Sequence, residues 1–228
     1  MKNNKKILIL AFVNILLVCQ KRKEPTDVDF YVDIDKSATQ GWQLTFSGGH
    51  IIIEEFDFDA DREKGDDVLF TQEYISGLTI PFDISSMVAD LEFVIPQGVY
   101  KRIDVGFRTF DDPDDLIKSI LVEGAYEYAG GGSVPIRFEF SDSEQFVIRA
   151  ESETGEDIIL DKDVQSPAKI ILNPPHWFET VPASLFETAD LFDVGGTNTI
   201  LITKTENDDI YDIVLDRLDE SALVVFNY

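Results

Sequence analysis

One cysteine, two histidines and two tryptophans occur in 228 residues. A single thiol permits no internal disulfide, so the fold must rest on its apolar core. The same scarcity rules out a zinc site built from clustered Cys and His ligands. Nucleophilic catalysis by Ser or Cys calls for a base that titrates near neutrality. Only His50 and His176 could serve. His50 follows a Ser-Gly-Gly turn and His176 lies between a double proline and Trp177, with no nucleophile-elbow motif beside either. Both are expected to be structural or surface residues. Bases are also scarce: 19 Lys and Arg face 44 Asp and Glu, for a net charge of -25. Such a surface repels phosphate backbones, which excludes nucleic acid as a partner. Gly130 to Gly132 lack the Lys-Ser/Thr and the helix of a phosphate-cradling loop, and read as a hairpin turn.

No apolar run is long. The longest, Ile7 to Val18, has twelve residues interrupted by Asn14. A membrane-spanning helix needs about 20 residues. With the basic stretch MKNNKK before it, the run has the form of a signal-peptide core. Leu16-Leu17-Val18-Cys19 resembles a bacterial lipobox, although Val18 stands where Gly, Ala or Ser is preferred. The resemblance implies removal of residues 1–18, lipidation of Cys19 and a tether over residues 19–27. Two or three acyl chains form an essentially permanent anchor, at ~0.8 kcal/mol per buried methylene. Gln20, where Asp would imply inner-membrane retention, points to an outer-membrane lipoprotein facing the periplasm or exposed at the cell surface. The leader carries three lysines and no acid, so the body without it has a net charge of about -28.

From Val28 onward the dominant period is two. Val28, Phe30, Val32 and Ile34 form one inward row; Ile103, Val105 and Phe107 another; Val134, Ile136, Phe138 and Phe140 a third. In HIIIEEFDFDAD the apolar phase shifts from Ile51 and Ile53 to Phe56 and Phe58, which predicts a bulge near Glu54-Glu55. About ten short strands separated by polar turns predict a mainly β chain, an antiparallel β-sandwich over residues 28–173. No helix of useful length fits there. Residues 174–228 predict a small α/β appendage with two short helices. The double proline of Asn173-Pro174-Pro175 closes the last strand, and the first helix spaces Phe178, Val181, Leu185 and Ala189 at helical intervals with Pro182 near its first turn, while Trp177 is placed to pin the tail to the sandwich. The second carries Ile210, Ile213, Val214 and Leu218 on one stripe, with Thr205 or Asn207 as its cap. Trp42, in phase with Leu44 and Phe46, is expected in the core.

The sequence IPQGVYKRIDVGF, followed by ILVEGAYEY and PIRFEF, resembles the sandwich domains of Bacteroidota lipoproteins of transthyretin-like or fimbrial type. The resemblance spans roughly Leu91 to Phe140. It implies an envelope β-sandwich and brings no catalytic residue with it.

One chemical possibility stands out, a calcium site. Asp57, Asp59, Asp61, Asp66 and Asp67 fall within eleven residues, and calcium takes six to eight oxygen ligands. The EF-hand pattern fails, because Arg62 stands where Gly is required and Val68 where a bidentate Glu belongs. On an extended strand Asp57, Asp59 and Asp61 share a face about 6.5–7 Å apart. Arg62 and Lys64 are alternative neutralisers, and DDPDD at Asp111 to Asp115 could join the site if the loops are adjacent. The sequence therefore points to a non-enzymatic, lipid-anchored envelope sandwich that binds a glycan or protein, or serves as an accessory subunit. A fimbria-like assembly subunit, or a calcium-dependent adhesion module, is the alternative.

Overall fold

A computed structural model describes residues 24–37, 43–82, 89–114 and 116–227. The leader, Cys19, the tether up to Lys23 and Trp42 lie outside the described residues. Within them the chain is mainly β, as the period-two patterning requires. Strands β1 (Pro25–Ile34), β2 (Leu44–Arg62) and β3 (Val68–Pro81) precede a single 3-10 turn at Ala89–Leu91. Then come β4 (Glu92–Pro96), β5 (Gly98–Thr109), β6 (Ile120–Glu127), β7 (Ser133–Phe140), β8 (Gln145–Ser152), β9 (Ile158–Leu160) and β10 (Ala168–Leu172). The tail adds α1 (Pro174–Trp177), α2 (Ala183–Thr188), β11 (Leu191–Val194), β12 (Thr197–Ile202), α3 (Asp208–Leu215) and β13 (Ala222–Phe226).

The strands are joined in the order β11-β12-β7-β6-β2-β5-β8-β13-β10-β1-β4, with β3 on β2 and β9 on β5. The path turns back on itself to make a sandwich. One layer is the large sheet from β11 to β8. The other is the four strands β13, β10, β1 and β4. Aromatic rings mark where they meet: Phe30 of β1 lies 5.0 Å from Phe56 and 6.4 Å from Phe58 of β2, and Phe93 of β4 stacks on Phe56 at 4.8 Å. The small layer covers only part of the large sheet. The tail helices cover the rest, with Phe178 5.3 Å from Phe46, Phe186 stacked on Tyr126 at 4.9 Å and Tyr211 stacked on Phe138 at 5.8 Å. Both coverings share one continuous apolar core.

The inward rows read from the sequence are buried, Phe30, Val105 and Phe138 among them. Register shifts in β2 at Ile53/Glu55 place the expected bulge at Glu54. Bulges bend strands and increase twist, and here the bulge lets β2 leave β6 and take up β5. Trp177 is fully buried, as its pinning role requires. Three short helices stand where two were expected, the extra one being the single turn α1. Asn173 caps that turn, its side chain accepting the His176 N–H at 3.1 Å. In α3 Ile210 and Val214 are buried as expected and Ile213 is half-buried, and Leu218, just past the helix, is buried too.

Asn207 begins α3 in the left-handed region, with φ 47°, and makes no side-chain cap. Its amide instead ties three segments together, accepting from Asp190 N–H and donating to the Leu201 and Asp190 carbonyls. The pairing is not wholly antiparallel: β1–β10, β12–β7 and β13–β8 are parallel. The tail strands are also woven into the sandwich. β11 and β12 extend the large sheet beyond β7, and β13 lies between β8 and β10.

Candidate functional site

The outer face of the large sheet is built by the residues that alternate with the core rows. On β2 these are Asp57, Asp59 and Asp61, on β5 Asp104 and Arg108, on β8 Gln145, Val147 and Arg149. Cross-strand register sets them in rows: Leu69–Asp59–Asp104–Arg149, then Thr71–Asp57–Gly106–Val147, then Glu73–Glu55–Arg108–Gln145. Like charges directly opposite each other destabilise a sheet, and arginines relieve this. The Arg102 guanidinium meets Asp59 at 3.0 Å, Asp61 at 2.8 Å and Asp104 at 2.5 Å. Arg149 also pairs with Asp104. Arg108 holds Glu54 at 2.7 Å and Glu55 at 2.9 Å, so the β2 bulge presents two adjacent acids to one cation. Farther along, Arg137 joins Glu123 and Glu139. Hydrogen bonding from Arg102 holds the Asp61 carboxyl below the ordinary aspartate value, and the carboxylates raise Arg102 in return.

A second bulge positions Arg102. Asp61 pairs with Arg102 but Arg62 pairs with Tyr100, so Lys101 is the extra residue. Tyr100 and Ile103 both point inward and are buried, which leaves Lys101 and Arg102 side by side facing out. Beside them β5 changes partners: Asp104 pairs with Arg149 of β8, and Tyr100 pairs with Ile158 of β9. Among the described residues, 101–103 have no strand partner on that side. A cleft of about 390 Å³ opens there, bordered by Lys101, Arg102, Glu151, Ser152, Glu156 and Asp157. Lys101 Nζ lies 2.5 Å from Asp157, and that bond raises the lysine above its ordinary value. The Ser152 hydroxyl shares a hydrogen bond with Thr154 at 2.8 Å.

The aspartates proposed for calcium are not gathered into a site. Asp57, Asp59 and Asp61 lie on one face, as an extended strand dictates, but Asp59 and Asp61 converge on a guanidinium. Asp57 accepts from the Thr71 hydroxyl at 2.5 Å. Asp66 and Asp67 are exposed in the turn between β2 and β3. Among the described residues no group of three or more His, Cys, Asp or Glu side chains could hold a metal ion. The neutralising base is Arg102 rather than Arg62 or Lys64. Arg62 turns away to donate to the Gln97 carbonyl at 2.7 Å and lies over the Tyr100 ring, while Lys64 approaches Glu63 at 3.8 Å. In the DDPDD loop, Asp112 accepts the N–H groups of Asp114, Leu116 and Ile117, which commits its carboxylate to its own backbone.

His50 Nε2 lies 3.2 Å from the Lys118 carbonyl oxygen. His176 sits against the Arg217 guanidinium at 2.7 Å, with Glu179 at 3.3 Å and Glu220 at 3.6 Å. Both histidines are thus held in structural networks.

The Lys101–Arg102 pair was missed in reading the sequence. Its signal was present, since Tyr100 and Ile103 are three apart, an odd spacing that breaks the two-residue period. The pairing of Arg102 with acids about forty residues earlier in the chain had no local signal.

No family model matches the chain, and no curated protein matches it. A solved structure that resembles it is MbnP from Methylosinus trichosporium, at 10% identity and a TM-score of 0.37, covering 70% of this chain and 79% of that chain. At that score too little geometry is shared for a property of one to be carried to the other. Among the described residues, no helix is long and apolar enough to cross a membrane.

Proposed function

We propose that this chain is a non-enzymatic binding or accessory module of the bacterial cell envelope, anchored in the outer membrane by lipid on Cys19. The observation that carries the binding reading is the exposed outer face of the large sheet, where a row of fixed acid–arginine pairs runs into the cleft beside Lys101. Paired guanidinium and carboxylate groups in a rigid sheet are pre-ordered, so a ligand that meets them loses little further side-chain freedom. The carboxylates keep lone pairs free for hydroxyl or amide donors, which suits a glycan or a protein segment. The lipobox-like Leu16-Leu17-Val18-Cys19 and the resemblance to Bacteroidota lipoproteins support the envelope setting.

Two measurements test the reading. Mass spectrometry of the mature amino terminus should find an acylated Cys19; an unmodified cysteine with the leader attached would overturn the anchor. Affinity capture from the native envelope should retain a glycan or protein that is lost when Lys101 and Asp157 are both replaced by alanine. Equal retention by that folded variant would remove the cleft from the reading.

A further inference from the structure

Edge strands expose unpaired N–H and C=O groups, and proteins blunt them with short length, proline, lysine or a covering element. The edges of this fold are treated unequally. β11 has four residues, β9 three, and β4 five with Pro96 at its end. β3 has fourteen, with no Lys or Arg, no Pro before Pro81, and one charged side chain, Glu73. Residues 68–73 pair with β2 without interruption, while Tyr74–Gly77 bulge away from it. Among the described residues nothing pairs with the opposite edge of β3.

Both faces of this stretch are open. Leu69 is 77% exposed on the outer face. On the inner face Val68 and Phe70 are only half-buried and Gln72 is exposed, because the short β4 reaches no farther than the contact between Phe93 and Phe70 at 5.0 Å. The rim is acidic in a way the neighbouring outer face is not. Asp66, Asp67, Glu73, Asp90 and Glu92 are exposed, and none has an ion-pair partner among the described residues. Asp90 is held beside the strand by the Tyr74 hydroxyl, which donates to its carbonyl at 2.6 Å. By contrast, Asp59, Asp61 and Asp104 are clamped by Arg102.

Resting on the binding-module reading, we propose that the free edge of β3 at residues 68–73 receives an extended, Lys- or Arg-bearing segment of a partner protein as an added strand. Main-chain hydrogen bonds supply affinity in such additions, and side chains supply selection. The five unneutralised carboxylates select for cations. They also disfavour a second copy of this chain, which would bring an equally acidic rim against the first.

The test uses the full chain and fluorescence anisotropy with a labelled nonapeptide of alternating Lys and Val. The same peptide with alternate backbone nitrogens methylated, and a Glu–Val counterpart, are the controls. The Lys–Val peptide should bind, more weakly as salt rises. Both controls should fail. T71K, which adds a lysine to the strand while leaving its backbone groups in place, should weaken binding by about ten-fold. Absence of Lys–Val binding, or equal binding of the methylated peptide, overturns the proposal without any substitution being needed. So does unchanged binding by folded T71K. A concentration-dependent dimer in sedimentation that T71K abolishes would assign the edge to a second copy and also overturn it. If the peptide fails while the cleft-dependent envelope ligand is still retained, only the strand-addition proposal falls. If both fail, the binding-module reading falls with it.

Discussion

Alanine at Gly49 should unfold this protein far more readily than alanine at Gly48, its neighbour in the same strand. Where β2 pairs with β6, a bulge between Phe46 and Gly48 draws the two backbones together. A Cβ at Gly49 would sit 1.9 Å from the Leu121 carbonyl oxygen, and Gly49 has φ +136°. Backbone cannot swing aside as a side chain can. Overpacking costs about 1–3 kcal/mol, and a residue with a Cβ forced into this φ region costs about 1–3 kcal/mol more. The sum of about 2–6 kcal/mol is a large part of the roughly 5–15 kcal/mol that holds a domain together. A Cβ at Gly124 would sit 2.0 Å from the Thr45 carbonyl oxygen, but Gly124 has no positive φ, so its alanine variant should lose only the first part. Gly48 has nothing within 4 Å, and alanine there should change stability by less than about 1 kcal/mol. Urea unfolding of the three variants, followed by tryptophan fluorescence and far-UV circular dichroism, should rank them Gly49, Gly124, Gly48 from most to least damaging. If G49A and G48A fell within about 0.5 kcal/mol of each other, the close approach of β2 and β6 would be wrong.

Three further outcomes follow from side chains. In R102Q, carboxyl NMR should show Asp61 titrating at a higher pH than in the parent. The parent's pairing stabilises above the unfolded aspartate value of 3.8 and is lost as pH falls through the lower folded value, so R102Q should also acid-unfold at higher pH. An unchanged Asp61 titration would refute the clamp. Burial raises Glu144 above its ordinary 4.5, so stability from its protonated form is full below that value and is lost as pH rises through the raised one. E144Q should therefore stabilise the fold at neutral pH, and urea titrations should show the gain shrinking as pH falls through the raised value and gone below 4.5; a loss at neutral pH would contradict this. F178A, which empties a fully buried site between Phe46 and Phe138, should cost about 3–5 kcal/mol by chemical denaturation, and a loss below about 1 kcal/mol would mean that the tail does not pack there.

The parts of this fold that were legible in the sequence are those set by local alternation. The inward rows of β1, β5 and β7 follow from side chains two apart, and the bulge at Glu54 follows from Ile53 and Phe56 being three apart. The odd spacing of Tyr100 and Ile103 carried the same information about Lys101. What alternation cannot carry is which strands become neighbours. Parallel pairs such as Phe30 with Ala168 join residues separated by most of the chain, and nothing local distinguishes that partner from another strand. Among the described residues the aspartates expected to hold calcium form no gathered group, and the cause is the same. The run of aspartates was visible, but the arginine that answers it comes from β5.

The position of β13 has a consequence for timing. Among the described residues, β13 is the backbone link between the two layers, since β8 pairs with it on one side and β10 on the other. It is also the last of the thirteen strands to be synthesised. β1, the first, must therefore wait for β10 and then for β13 before the small layer is joined to the large one. Folds dominated by such distant pairings close slowly. Until residue 226 has emerged, the growing chain has no way to complete its hydrogen-bonded framework. A chain so arranged stays threadable during synthesis, and any product cut short before Ala222 leaves β8 and β10 as raw edges that proteases and chaperones can recognise.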